Sequence, residues 1–318
     1  MKYSGIGGQA VIEGIMMMKG EDYAVAVRRL DKEIEVKKDT YQSITKKAKI
    51  LQLPFVRGVF RFADSMIIGM RSLTYSASFF EDDEDAEPGK FEQFLDRVFG
   101  EKLESAIMAA VLVISFILAI GIFMLLPLGI ANLFKGVITS DHLMAVLEGV
   151  IRIAIFIIYI KLVSRMEDIR RTFMYHGAEH KCINCVEHGH PLTVKYVRES
   201  SKEHKRCGTS FILIVMVISI LMFMVIRVDT IWMRILSRII LVPVIAGISY
   251  EVLQCAGRSN SKFMDLVSRP GMWMQGLTTK EPDDSMIEVA IAATEAVFDW
   301  REYLTENFPG WEKQLEES

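Results

Sequence analysis

The chain has no surplus of either charge: 37 Lys and Arg stand against 40 Asp and Glu, for a formal net charge of −3. That balance offers nucleic acid no bulk electrostatic grip and argues against it as a partner. Cysteine is scarce, four residues in 318. Cys182, Cys185, Cys207 and Cys255 all fall on or beside the face expected to be cytoplasmic. In a reducing compartment such cysteines serve metal binding or packing rather than disulfides. No internal repeat is present. The glycine-rich start, GIGGQAVIEGIMMMKG, lacks the spacing of the dinucleotide fingerprint and the Lys-Ser/Thr ending of the Walker phosphate loop. Close backbone approach within a packed element is the better use of Gly5, Gly7, Gly8, Gly14 and Gly20.

Charge is also missing locally. Half of the chain, 51%, is hydrophobic, mean hydropathy is +0.27, and the apolar residues are concentrated. Residues 105–134 and 207–226 carry no charge at all, and each is long enough to cross a bilayer, which takes roughly 20 residues. Both are too long and too far along the chain to be a cleaved signal peptide. Residues 143–163 and 233–253 are weaker candidates, with Glu148 and Arg152 in the first and Arg234, Arg238 and Glu251 in the second. Glu148 and Arg152 are four apart, so they can pair on one helix face and lower the cost of sitting in lipid. Lys and Arg crowd the segment between the second and third spans. Four spans with both termini and the central loop in the cytoplasm satisfy that bias; the 227–234 turn, with Arg227 and Arg234, counts mildly against it. The expected location is the cell (plasma) membrane.

The expected fold is mainly α: a polytopic membrane bundle of about four spans, with a small N-terminal β-hairpin and cytoplasmic helices. AVAVRRL and EIEVKK form the hairpin, with a turn at LDKE, inside a first segment of residues 1–50. Residues 51–104 hold an amphipathic helix over 54–80, with Arg57, Arg61 and Arg71, placed on the membrane surface or against the bundle. The charge run at 81–90 reads as a solvated linker. Residues 105–255 form the bundle, with a His/Cys loop at 164–210. Residues 256–318 close the chain as a cytoplasmic helical segment, one helix of which begins near Asp283 and Asp284.

The densest chemistry lies in YHGAEHKCINCVEHGH, residues 175–190, with four of the six histidines. On a helix His176 and His180 point to the same side, as two ligands of one metal must. Glu179 stays near that face, completing His-x-x-Glu-His, the inverted zincin pattern in which the carboxylate polarises an attacking water. Gly177 lowers helix propensity there by roughly 1 kcal/mol. A rival pairing joins Cys182-x-x-Cys185 to His204-x-x-Cys207 as a closed structural zinc knuckle. His188 and His190, around Gly189, read as surface or turn residues. Glu251, near the end of the fourth span, is a further candidate ligand.

GGQAVIEGIMMMKG, YHGAEHK, HKRCGTSF and GLTTKEP (276–282) together resemble the hallmarks of the DUF1385 family, and the likeness covers nearly the whole chain. The resemblance implies a metal-dependent enzyme of the membrane, with no substrate attached to it. It implies that His176, Glu179, His180, His204 and Cys207 belong to shared motifs. Cys182 falls outside them, which weakens the knuckle. Gln9 and Glu13 lie in the shared N-terminal motif. Four apart, they would face one way on a helix, as groups that touch substrate or support the site, or as a buried pair that fixes the N-terminal fold.

Together these expectations describe a hydrolase with a divalent metal, zinc by its ligands, held by His176 and His180. Cys207 or His204 adds a third ligand, and Glu179 is the general base. Its position beside the lipid bilayer suits a membrane-associated substrate. The alternatives are a non-catalytic scaffold or sensor with a structural metal site, and a small transporter lined by Glu148, Arg152 and Glu251. Oligomeric state is not legible.

Overall fold

The computed structural model describes residues 2–80, 103–226, 230–258 and 261–316. The acidic run at 81–90 and residues 227–229 lie outside the described residues. The chain divides into two compact units, one of residues 1–80, 160–222 and 226–318, the other of 81–159 and 223–225.

The first unit opens with an antiparallel meander of β1 (Ile6–Val11), β2 (Gly14–Lys19), β3 (Asp22–Arg28) and β4 (Ile34–Thr40), in that spatial order. The expected hairpin is β3 and β4; the glycine-rich stretch adds two further strands. The reason is burial on both sides. Ile6, Ile15, Met17 and Ala26 join one apolar core, while Val11, Met16, Val25 and Val27 join another. A strand covered on both faces shows no polar–apolar alternation, so β2 (GIMMMK) carries no period-2 signal. Gly8 and Gly14 serve close approach, as expected, whereas a Cβ at Gly5, Gly7 or Gly20 would meet nothing within 4 Å. A Cβ at Gly8 would lie 2.5 Å from the Met16 carbonyl oxygen, and one at Gly14 would collide with the Ala26 carbonyl. The outer strand β4 is exposed and carries Lys37 and Lys38, which discourage pairing with another edge.

One face of the sheet meets α1 (Val56–Ala77), through Ile68. Asp64 of α1 is buried but accepts from the Tyr41 hydroxyl at 2.9 Å and the Ser43 hydroxyl at 2.5 Å. The other face meets α5 (Glu167–Glu187) and α10 (Asp284–Val297), through Ala178, Ile183, Ile287 and Ala290. Asp283 caps α10, accepting from the Met286 N–H at 3.0 Å. Between them run α6 (Val194–Glu199), α7 (Gly208–Val225), α8 (Ile231–Arg258) and α9 (Lys262–Thr278); α11 (Trp300–Asn307) and α12 (Lys313–Glu316) follow. Where α1 meets α8, a Cβ at Gly58 would lie 2.7 Å from that of Tyr250. Small residues let the two backbones close at this crossing.

The second unit contains α2 (Leu103–Ile120), a π turn at Gly121–Leu125, α3 (Leu126–Asn132) and most of α4 (Asp141–Val163). Glu148 and Arg152 pair at 2.6 Å, as their spacing predicts. Arg152 also donates to the Phe123 carbonyl at 3.0 Å, inside the π turn. Four helical stretches are long and apolar enough to cross a membrane: Ala110–Asn132, Asp141–Val163, Gly208–Val225 and Leu236–Ala256. Each overlaps a run expected from hydropathy, and large apolar side chains such as Phe116, Leu162, Leu221 and Ile240 stay exposed along them.

Candidate metal centre

Helix α5 is polar in sequence yet buried almost all round from Tyr175 to Glu187. Its charged side chains are therefore satisfied by the loop wrapped over it. Lys181 donates to the carbonyls of Arg198 and Ser200 at 2.7 and 2.9 Å, and Asn184 to those of Ser201 and Glu203. Gly177 is required here because a Cβ would run into the Lys280 carbonyl oxygen. That segment is itself held by a bond from the Lys280 N–H to the Phe173 carbonyl.

On this helix His176 and His180 lie one turn apart, ring centroids 4.4 Å from each other. Nδ1 of His176 meets the Thr278 carbonyl at 3.1 Å, and Nδ1 of His180 meets the Lys202 carbonyl at 2.7 Å. A carbonyl only accepts, so the hydrogen-bond network assigns the proton to Nδ1 in both rings. Each Nε2 is then left with a lone pair, the arrangement that orients metal-ligating histidines. Cys207 caps the N-terminus of α7 and accepts from the Thr209 N–H at 3.4 Å. Its Sγ lies 3.2 Å from His176 Nε2. Ligand atoms of His176, His180 and Cys207 all fall within 4.8 Å of one another. Two imidazoles and a cysteine sulfur form a donor set that fits zinc.

Glu179 is buried, with Oε2 3.9 Å from His176 Nε2. Burial pushes its carboxyl up, while His176 and the Gly8 N–H oppose the shift. Gly8 must be glycine for β1 to come this close: a Cβ there would lie 3.0 Å from Glu179 Cγ. A cavity of about 130 Å³ opens beside the group, bordered by His176, Glu179, His180, His204, Arg206 and Cys207.

His204 is not part of the three-residue group. Its Nε2 faces Glu187 Oε2 at 3.6 Å, too long for a hydrogen bond. Burial lowers its imidazole to about 4, so it is neutral near pH 7. Its backbone is clasped by Gln275, which accepts from the His204 N–H at 2.8 Å and donates to its carbonyl at 2.7 Å. Burial alone would raise Glu187, but the Arg206 guanidinium and the Ser4 N–H and hydroxyl hold it down at about 2. Glu251 also serves elsewhere. It takes Arg57 at 2.5 and 2.7 Å and the Phe55 N–H at 3.3 Å, fixing the start of α1 on α8.

Gln9 and Glu13 are not on a helix. Gln9 is in β1 and donates to the Ser65 carbonyl of α1 at 3.2 Å. Glu13 is in the β1–β2 turn, at φ 48°, and takes Arg171 at 2.5 and 2.6 Å and the Tyr175 hydroxyl at 3.2 Å. Each ties the sheet to a neighbouring helix. Cys182 and Cys185 face the apolar core, where Cys185 donates to the Pro191 carbonyl at 3.3 Å, so the four residues of the knuckle do not converge. His188 and His190 are exposed, as expected. The sequence reading missed Arg206 and Gln275, the carbonyls of Lys202 and Thr278, and the approach of Gly8 to Glu179. Gly8 and Arg206 sit inside the quoted motifs; backbone carbonyls leave no trace in a sequence.

The model of a family described as "Protein of unknown function (DUF1385)" matches residues 53–300. The "Uncharacterized protein YqhQ" of Bacillus subtilis (strain 168) is 34% identical over 286 residues, covering 90% of this chain and 89% of that one. No solved structure matches.

Proposed function

The chain belongs to the DUF1385 family, and from that premise we propose that it is a metal-dependent hydrolase of the cell membrane, with its site on the cytoplasmic side. The observation that carries this reading is the convergence of His176, His180 and Cys207, with both imidazoles oriented by backbone carbonyls. His176, His180 and Cys207 would hold the ion with three protein donors and would leave a position for water, whereas structural zinc sites close all four. A bound zinc ion would supply Lewis-acid activation of that water. Glu179 takes the proton of the attacking water and returns it to the leaving group. Its burial, which raises the carboxyl, suits a group that must both accept and give a proton near neutral pH. The scaffold alternative gains nothing from an open cavity. A transporter gains little from Glu148 and Arg152, which pair with each other.

One observation favours a second reading. The 3.2 Å contact of Cys207 Sγ with His176 Nε2 is also that of a thiol nucleophile and its base. Elemental mass spectrometry of the detergent-purified chain separates the two. The metal reading expects about one zinc per chain, lost in a His176→Ala/His180→Ala variant. Glu179→Gln should retain the zinc and lose hydrolysis across a panel of ester and phosphoester substrates. A well-folded sample without stoichiometric metal, in which iodoacetamide labels Cys207, would replace the metal site with the thiol dyad.

A further inference from the structure

Within the hydrolase reading, on which this rests for its reaction, we infer that the substrate carries a phosphate-type oxyanion and that Arg206 receives it. The guanidinium of Arg206 is held at two points. Nη2 bonds Glu187, and the carbon of the group stands 4.4 Å over the Tyr3 ring. Nη1 is buried and has no hydrogen-bond partner. Leaving a charged donor unsatisfied in the interior is costly, and folded proteins do so rarely. This donor belongs to a side chain that borders the same cavity as the three metal-ligand candidates.

A second buried group borders the same cavity. His204 is 4% exposed, with its Nε2 turned to Glu187 Oε2 at 3.6 Å and without a hydrogen-bond partner. Two open glycines stand in the lining. Gly7 and Gly208 line the cavity, and a Cβ at either would meet nothing within 4 Å. Gly208 opens α7, an 18-residue helix, so the wall includes the end of a helix that favours negative charge.

These features suit a tetrahedral oxyanion better than a carboxylate. A phosphate group has oxygens enough to meet the Arg206 fork and the α7 terminus and still leave one for the reacting side of the cavity, while a carboxylate has only two. Arg is also the side chain whose planar donors match phosphate. The group could belong to a lipid headgroup or to a soluble phosphate ester; the recognition chemistry is shared.

The test is a titration of the full chain in detergent with inorganic phosphate, glycerol phosphate and, in mixed micelles, phosphatidic acid. Wild type is compared with Arg206→Lys and with Arg57→Lys as a remote control. Lysine keeps a cation for Glu187, so the protein is expected to fold, but it loses the Nη1 donor. Saturable phosphate binding, at least about tenfold weaker in Arg206→Lys and unchanged in Arg57→Lys, supports the inference. Tighter binding of phosphatidic acid than of glycerol phosphate identifies a lipid source, and the reverse a soluble one. No saturable binding of any of the three, equal binding by Arg206→Lys, or acetate competing as well as phosphate overturns it. Zinc measured on the same samples keeps the two ideas apart. Loss of phosphate binding with zinc present leaves the hydrolase reading standing, and Arg206-dependent binding without zinc removes only that reading.

Discussion

Beneath the candidate ligands, the carboxylate of Glu187 joins the chain's beginning to its middle. It is fully buried, and it accepts from the Ser4 N–H at 2.9 Å and hydroxyl at 2.8 Å while pairing with Arg206. These partners hold its pKa at about 2 against an ordinary 4.5. In the folded state it takes up its proton later than in the unfolded state. Its stabilisation is therefore fully present above about pH 4.5 and is lost as pH falls towards 2. Chemical denaturation between pH 6 and 3 should show wild type losing stability faster than Glu187→Gln below pH 4.5; parallel curves would show that the pairing contributes nothing. The pair His176 and His180 was legible in the sequence because helix periodicity alone places residues i and i+4 together. The roles of His204, Gln9 and Glu13 were not. Their positions depend on the path of the 200–207 loop and on strands that hid their pattern.

Helix α5 shows how much an element depends on its neighbours. Alanine at position 177 improves intrinsic helix propensity by roughly 1 kcal/mol, yet its Cβ would meet the Lys280 carbonyl, which belongs to a backbone already bonded to Phe173. Overpacking of this kind costs roughly 1–3 kcal/mol, so Gly177→Ala should lower the Tm. Gly276→Ala in α9 is the counterpart. A Cβ there meets nothing within 4 Å, and the same exchange should stabilise by about 0.5–1 kcal/mol. Thermal melts of both variants in one detergent check the contrast; equal effects would mean that close packing at residue 177 does not decide. Helix α1 was legible from its apolar stripe, and α10 from its aspartate cap. Strands β1 and β2 were not, because burial on both faces erases alternation. The all-round burial of α5 was also hidden, since a sequence this polar does not announce burial.

For the molecule as a whole, hydropathy announced two of the four long apolar helices outright and the other two more weakly, through the charged residues they carry, because lipid solubility depends on composition more than on fold. The chain is expected to remain in the membrane fraction after alkaline carbonate washing and to need detergent for release; recovery in the supernatant would remove the membrane reading. A reporter fused after residue 318 should be active only if it works in the cytoplasm. The grouping of residues 1–80, 160–222 and 226–318 into one unit was not legible, since nothing in a linear pattern says which distant segments will cover one another. Separation along the chain also sets an order in time. The ring of His176 is oriented by the carbonyl of Thr278, 102 residues later, and two apolar stretches, Gly208–Val225 and Leu236–Ala256, are translated between them. A nascent chain that has exposed His176, His180 and Cys207 therefore still lacks the acceptor that fixes the first ring. Both hydrophobic stretches must leave the ribosome before Thr278 can reach His176, so the arrangement of the three residues is completed late in synthesis and not as each of them is made.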